Sequence, residues 1–178
     1  MTIVITLPHF FDGEAERIVQ LLRRGDVDVV HLRKPEAARQ EMEALIRAIP
    51  ADLHGRLVVH DHHELAITYA LRGIHLNGRH PEAPKGYEGQ LSVSCHSLAE
   101  LAERKRLPFA YLSLSPIFDS ISKQGYHAAF TAEELERARR EGIIDRRVMA
   151  LGGVTFDKLD AVRQMGFGGG MILGDAWR

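Results

Sequence analysis

The sequence has a single cysteine, Cys95, among 178 residues, so no disulfide can form within the chain. It also lacks an excess of charge of either sign, because 23 Lys and Arg residues face 24 Asp and Glu residues and the net charge is −1. This balance does not indicate a nucleic acid or a membrane surface as a partner. The first residues, MTIVITLPHFF, lack the basic region and the long apolar run of a signal peptide. These absences predict a cytoplasmic protein that binds neither nucleic acid nor membrane.

Glycine is abundant in residues 148–175, VMALGGVTFDKLDAVRQMGFGGGMILGD. The pattern predicts a strand at 148–151, an amphipathic helix at 156–165 and a strand at 170–173, which together form a parallel βαβ unit. Gly152, Gly153 and Gly174 follow these strands, where the absence of a Cβ allows backbone N–H groups to approach a phosphate. On this hypothesis, Gly153→Val abolishes phosphate binding and leaves the fold intact. The alternative is that the glycines only turn the chain.

The rest of the chain supplies six earlier strand patterns. Apolar or alternating runs predict strands at 2–7, 27–33, 57–60, 73–76, 90–94 and 109–115. Helical patterns follow most of them, at about 20–30 residues per unit. An open doubly wound sheet would carry a glycine fingerprint after its first strand, and LPHFFDG is not one. The sequence therefore predicts an α/β chain that forms one domain over residues 1–178, a compact (β/α)8 TIM barrel.

Short signals mark where the helices of this barrel begin and end. Pro35 is predicted in the first turn of one helix, and Asp12 is predicted as a side-chain N-cap of another. Three further helices are predicted to begin with capping boxes: Asp61 with Glu64, Ser97 with Glu100, and Thr131 with Glu134. Gly25 is expected to end the first helix in the left-handed conformation. Few residues follow Gly174, so the pattern predicts a barrel with its last helix missing. We expect a homodimer to cover the apolar surface left open there, or the natural chain to continue.

Polar side chains cluster where the predicted strands end, which is where TIM-barrel active sites lie. They are His31, Arg33, His60, Asp61, His75, Asn77, Ser94, His96, Ser113, Ser115 and, in the loop after strand 6, Lys123. Arg33 and Lys123 are candidate anion ligands, because a guanidinium matches phosphate oxygens and an ammonium adds a point charge. On a rim shared with the glycines, these cations predict a small phosphate-bearing substrate.

The segment His60-Asp61-His62-His63 allows two metal hypotheses. His60 and His62 lie on the same side of a strand and could bind zinc. Asp61 could instead provide an oxygen ligand for Mg²⁺ that bridges phosphates. As a third alternative, Asp61 caps the next helix and places His62 and His63 in its exposed first turn. Cys95 alternates away from its polar neighbours, so we interpret it as buried filler rather than a nucleophile.

Six segments, in order, resemble one family, the thiamin-phosphate synthase/TenI barrels. They are VVHLRKP, LVVHDHHELA, GIHLNGRH, VSCHSLAEL, YLSLSPIFDSISK and ALGGV, and together they span nearly the whole chain. The resemblance implies that pyrophosphate is displaced from an aminopyrimidine methylene by a thiazole nitrogen. It also implies that Arg33 and Lys123 hold the pyrophosphate and that Asp61 ligates Mg²⁺. The strand-end residues implied to bind the substrates are His31, Ser94 and Ser115, with Gly152, Gly153 and Gly174 around the thiazole phosphate.

Four positions depart from the synthase and TenI patterns, and one of them is His60, which aligns with the asparagine before the first Mg²⁺ aspartate of the synthases. His80 aligns with the second Mg²⁺ aspartate of the synthases, and Pro35 aligns with a lysine, so that Lys34 lies one place early. The catalytic histidine of the TenI branch, which isomerises a thiazole phosphate without metal, aligns with Pro116. In a TenI-like tautomerase, His96, His31 or His60 would transfer the proton. The alternatives to a synthase are therefore a tautomerase, a non-catalytic barrel that binds thiazole or thiamin phosphate, and a generic phosphosugar barrel.

Overall fold

The computed structural model describes residues 1–119 and 128–178. Within these residues, eight parallel strands follow one another in chain order around a closed barrel. They are β1 (Thr2–Ile5), β2 (Val29–Leu32), β3 (Leu57–Val59), β4 (Gly73–Leu76), β5 (Gln90–Cys95), β6 (Tyr111–Leu114), β7 (Val148–Leu151) and β8 (Gly169–Ile172). The predicted (β/α)8 fold is confirmed. Four strands, β1, β2, β3 and β6, are shorter than predicted, because the runs that predicted them extend past the ladder into the loops.

Helices separate most of the strands. They are α1 (Glu14–Arg24), α2 (Arg39–Ala48), α3 (Glu64–Thr68), α4 (Leu98–Arg104), α5 (Ala132–Arg140) and α6 (Leu159–Gln164). Short 3₁₀ turns span Ala51–Arg56, Phe156–Lys158 and, after β8, Gly174–Trp177. Each α-helix buries apolar side chains, such as Ile18 and Leu22 of α1 and Met42 and Ile46 of α2. No helix in residues 1–119 and 128–178 has the length and the apolar character needed to cross a bilayer.

The chain divides into two compact units, which we call the N-terminal unit (Ile3–Leu91) and the C-terminal unit (Met1–Thr2 with Ser92–Arg178). In the N-terminal unit, His31 of β2 pairs with Val58 of β3, which pairs in turn with Gly73 of β4. In the C-terminal unit, β5 to β8 pair in sequence, for example Ser94 with Ser113. The proposal that residues 1–178 form one domain stays a prediction.

The helix starts predicted at Asp12 and Pro35 are wrong. Helix α1 has Gly13 as its N-cap, in the left-handed conformation with φ 79°, and no side chain caps it. Helix α2 begins only at Arg39, because residues 34–37 form a turn in which the Ala37 N–H donates to the Lys34 carbonyl. The Glu41 carboxylate then accepts the Ala38 N–H.

The other helix ends match the sequence signals to different degrees. Thr131 and Glu134 form the complete capping box that was predicted, and Gly25 has φ 86° at the end of α1. Ser97 accepts the Glu100 N–H as expected, although the Glu100 carboxylate binds the His96 N–H instead of that of Ser97. The predicted cap at Asp61 is wrong: the N-cap of α3 is His63, without a side-chain bond. The Asp61 carboxylate is engaged elsewhere.

Candidate functional site

Asp61 lies at the centre of a charged cluster in the N-terminal unit, which we call the Asp61 cluster: Arg33, Asp61, Arg79 and His80. The Asp61 side chain is nearly buried. Its Oδ1 accepts a hydrogen bond from Arg79 Nη2 at 3.0 Å and lies 3.2 Å from His80 Nε2. Its Oδ2 is buried and has no hydrogen-bond partner among the residues that the structure describes. One carboxylate oxygen therefore stays available to a ligand.

Arg33 follows β2 and belongs to the same cluster. Burial lowers the pKa of its guanidinium, the nearby Arg79 lowers that pKa further, and Asp61 opposes the shift. Arg79 contacts the Asp61 carboxylate and Arg33 lies near enough to be affected by its charge, so two guanidinium groups accompany one carboxylate and leave a net positive charge. Arg33 is partly buried and Arg79 is exposed, and such a pair of arginines suits a multiply charged anion such as a phosphate.

The Asp61 cluster is positioned by the loops that follow β2, β3 and β4. After β4, the backbones of Asn77 and His80 exchange two hydrogen bonds, and Asn77 Oδ1 accepts the Arg79 N–H at 2.9 Å. This turn directs Arg79 and His80 towards Asp61. Sequence analysis missed Arg79, although the Asn-Gly turn directly after a predicted strand is a signal that could have identified it.

Lys34 does not belong to this cluster. Its ammonium is fully buried and donates to Glu14 Oε1 at 2.6 Å and to the carbonyls of Leu7 and His9 at 2.9 and 2.6 Å. Burial lowers the pKa of Lys34 and raises that of Glu14, and the attraction within the pair opposes both shifts. Lys34 therefore joins the loop after β1 to α1, and its place in the sequence near the family's lysine position does not make it a ligand.

Three histidines of the N-terminal unit meet: His31 in β2, His60 directly after β3 and His75 in β4. We call them the tri-histidine cluster. His31 Nδ1 lies 2.8 Å from His60 Nε2, and the rings of His60 and His75 stack with centroids 4.3 Å apart. Burial lowers the pKa of all three, that of His75 to about 3, so the rings are neutral at pH 7.

The predicted pairing of His60 with His62 is wrong. The His62 ring contacts the Ala37 carbonyl at 2.8 Å, and its backbone has φ 54°, which turns it away from the strand direction. His63 is buried rather than exposed, and its Nε2 lies 3.2 Å from the His60 carbonyl. Alternation along one strand predicted the partner of His60, but the actual partners are on the neighbouring strands.

In the C-terminal unit, hydroxyl and imidazole groups follow β5 and β6. Ser115 Oγ lies 3.2 Å from His96 Nδ1, and Ser113 Oγ donates to Ser94 Oγ over 3.5 Å. His96 is exposed, so the Ser115–His96 pair can exchange protons with a ligand or with water. Cys95 is fully buried, and burial raises the pKa of its thiol to about 12, which confirms the interpretation as filler.

In the same unit, the backbone conformation and the close packing of the loop after β7 require the glycines there. Gly152 and Gly153 have φ 92° and 63°, and a Cβ on Gly153 would lie 2.3 Å from the Asp119 carbonyl oxygen and 2.8 Å from Phe118 Cβ. The expectation that Gly153→Val leaves the fold intact is therefore wrong. Lys158 Nζ donates to the Gly153 carbonyl at 2.8 Å and places a cation at this loop that sequence analysis missed.

The remaining predicted phosphate ligands are Gly174 and Lys123. Gly174 begins the 3₁₀ turn after β8, and the adjacent Asp175 carboxylate accepts the Phe156 N–H at 3.1 Å. Lys123 lies outside the described residues. The roles of Gly152, Gly153, Gly174 and Lys123 in phosphate binding stay predictions.

Comparisons with known proteins agree on one family. A family model described as thiamine monophosphate synthase matches residues 2–173. The chain is 30% identical over 161 residues to the thiamine-phosphate synthase of Serratia proteamaculans, covering 86% of this chain and 75% of that protein. The crystal structure of thiamine phosphate pyrophosphorylase from Bacteroides thetaiotaomicron matches with a TM-score of 0.89 and 43% identity, covering 99% of this chain and 84% of that one. A Pyrococcus furiosus thiamine phosphate pyrophosphorylase, at 20% identity, 98% and 89% coverage and a TM-score of 0.76, shares the fold.

Proposed function

The chain belongs to the thiamine monophosphate synthase family, and from that premise we propose that it is a transferase of thiamin biosynthesis. It joins hydroxymethylpyrimidine pyrophosphate to thiazole phosphate and releases pyrophosphate. The thiazole nitrogen forms the new bond to the pyrimidine methylene carbon, while the bond from that carbon to the pyrophosphate oxygen breaks and the electron pair leaves with pyrophosphate. The resemblance inferred from six sequence segments is confirmed by the family match.

The observation that carries the proposal is the surplus positive charge of the Asp61 cluster. Pyrophosphate gains negative charge as it leaves, so groups that stabilise the leaving anion lower the barrier. Arg33 and Arg79 supply two guanidinium groups, and Asp61 holds Arg79 in place through its Oδ1. Lys123 would add a third cation. The protein's other task is to hold the thiazole nitrogen in line with the methylene carbon.

We also propose Mg²⁺ at Asp61, which the family resemblance implies. The fit is limited to the buried Oδ2, because Arg79 and His80 already contact Oδ1. One carboxylate oxygen suits Mg²⁺ when phosphate oxygens and waters complete its shell, and the ion would neutralise phosphate charge. His80 is a poor ligand for so hard a cation. We therefore expect weak binding of Mg²⁺ that depends on the pyrophosphate substrate.

The thiazole phosphate is assigned to the C-terminal unit. Gly152, Gly153 and Gly174 lie at the ends of β7 and β8, and Lys158 brings a cation to the same loop. Ser94 and Ser115 would contact the bound substrates. His31, which the resemblance implies as a further substrate contact, is fully buried beside His60 and is not included in this proposal. Because Cys95 is an unpaired buried thiol, a cytoplasmic location is proposed as well. A homodimer stays part of the proposal.

The Ser115–His96 pair supports a second candidate function, a TenI-like thiazole tautomerase. Proton transfer on a thiazole phosphate needs an acid–base group in contact with the substrate and no metal. His96 is exposed and bound to a hydroxyl, whereas His31 and His60 are buried and kept neutral. Among the three histidines considered for this role, His96 is therefore the best placed to move a proton.

An assay of thiamin phosphate formation with the Arg79→Met variant tests the synthase proposal. We expect product from the unaltered chain and a loss of kcat/KM of about 100-fold in the variant, because a donor to developing charge is removed. Arg79→Lys should recover part of the loss, and Arg23→Met, at an exposed position of α1, should have no effect. Absence of product with the unaltered chain would exclude the synthase function. Equal activity of Arg79→Met would instead exclude the Asp61 cluster as the pyrophosphate site.

A further inference from the structure

The tri-histidine cluster is formed by the register of three parallel strands. His31 pairs with Val58. His60 lies two residues beyond Val58, so its side chain points to the same face of the sheet as that of Val58. Val58 pairs with Gly73, and two residues beyond Gly73 is His75. His31 and His75 therefore lie in β2 and β4, and His60 directly follows β3 with its N–H donating to the Leu32 carbonyl at 3.2 Å. The backbone pairing of these strands thus sets the spacing of the three side chains on one side of the sheet.

The donor atoms of the cluster are close enough to share one ion. One ring nitrogen from each histidine lies within 4.8 Å of the other two, and the exposed fractions of His31, His60 and His75 are 0%, 5% and 1%. Zinc binds imidazole nitrogen at about 2.0–2.1 Å, which places tetrahedral donors about 3.4 Å apart. The 2.8 Å contact between His31 and His60 would need to open by about half an ångström, and a donor separation at the 4.8 Å limit would need to close by about 1.4 Å.

The chemistry of the donors restricts which ion could bind. Three imidazole nitrogens and no carboxylate suit zinc and the neighbouring divalent transition metals, whereas Mg²⁺ and Ca²⁺ require oxygen. The rings are kept neutral, so each has one nitrogen lone pair to offer at pH 7. Metal binding through both His31 Nδ1 and His60 Nε2 would require the proton of their hydrogen bond to move to the other nitrogen of its ring or to leave. Arg33, Arg72 and Arg79 are near enough to lower the pKa of rings in the cluster. Their charge opposes a bare cation and favours an ion that carries an anionic fourth ligand, such as hydroxide or phosphate.

We propose that His31, His60 and His75 form a three-histidine site for Zn²⁺ or a similar transition-metal ion, with a fourth position for water or an anion. This site is separate from Asp61 and from the magnesium proposed there. It does not depend on the synthase function.

Cobalt titration of the full chain, after treatment with a chelator, tests the proposal. Tetrahedral Co²⁺ gives intense visible absorption, and we expect one equivalent per chain. His75→Asn should weaken binding by about 100-fold or more, since changes around metal ligands alone cost 10–100-fold. His54→Asn is the matched control, because His54 is also buried but its ring nitrogens contact the backbone carbonyls of Ile46, Ile49 and Tyr69. Binding in this control should be unchanged.

A second measurement uses the unaltered protein, so its result does not depend on whether a variant folds. X-ray absorption of the zinc-loaded protein should show three imidazole nitrogens at about 2.0–2.1 Å. The proposal is overturned if Co²⁺ does not bind stoichiometrically, if fewer than three imidazoles surround zinc, or if His54→Asn loses as much affinity as His75→Asn. An equal loss in His80→Asn would place the ion at the Asp61 cluster and would overturn it as well.

Discussion

Three buried histidines tie the stability of this protein to pH. In the folded chain the pKa values of His31, His60 and His75 lie below 6.5 because of burial, whereas in the unfolded chain they take their ordinary value. Below pH 6.5 the unfolded chain therefore binds more protons. The free energy of unfolding should be constant above this pH and fall below it by about 1.4 kcal/mol per pH unit for each histidine.

Urea denaturation between pH 8 and pH 4.5, in the presence of a chelator, measures this dependence. His75→Gln removes one titrating group and should reduce the slope below pH 6.5 by about one proton. The same slope in the variant and the parent would mean that His75 is not kept neutral by the fold.

Sequence predicted the residues of the site better than their partners. His31, Arg33, His60 and His75 were identified because they end strands, and the register brings them onto shared faces. The bond from Arg79 to Asp61 and the burial of Lys34 against Glu14 depend on how loops after different strands meet. No local pattern contains that information, so the helix cap predicted at Asp61 is wrong and the burial of Lys34 was not predicted.

At the scale of elements, the loop after β7 depends on the absence of a side chain at Gly153. An alanine there would have to adopt a φ of 63°, at a cost of about 1–2 kcal/mol, and its Cβ would collide with Asp119 and Phe118. Overpacking of this kind adds about 1–3 kcal/mol. We expect Gly153→Ala to lower the free energy of unfolding by about 2–5 kcal/mol, the sum of both costs.

Gly142→Ala is the matched control for this prediction. Gly142 has φ 70°, but a Cβ there would meet nothing within 4 Å, so only the backbone cost of about 1–2 kcal/mol applies. Chemical denaturation of both variants gives the steric contribution as the difference. If the two variants lose the same stability, the loop at 116–119 yields to the extra atom and the close approach is not what requires glycine.

Helix ends were predictable where both halves of the capping signal lie within one short segment. Thr131 and Glu134 form their capping box from side chains and backbone three residues apart, and α5 begins directly after Thr131. Helix α1 depends on more distant groups, because Glu14 in its first turn is drawn to the buried Lys34. A local cap at Asp12 was therefore not used.

At the scale of the whole molecule, repetition made the fold predictable. Eight strand patterns in sequence, most with a helical pattern between them, predicted the observed strand order from β1 to β8. A shift of one or two residues at each strand end does not alter that order. The chemistry is less determined by sequence, since one residue, such as His80, which the resemblance aligns with a synthase aspartate, would change which ion or proton the site can use.

The central claim is that this chain condenses the two thiamin precursors. The most direct measurement is the rate of thiamin phosphate formation by the full chain, in Mg²⁺ and in EDTA, beside the rate of thiazole phosphate isomerisation. The account predicts condensation that EDTA slows and that His80→Asp, which restores a second hard ligand, accelerates in Mg²⁺ by about tenfold or more. Isomerisation that persists in EDTA, with no condensation under either condition, would contradict the claim and assign the chain to the tautomerase branch.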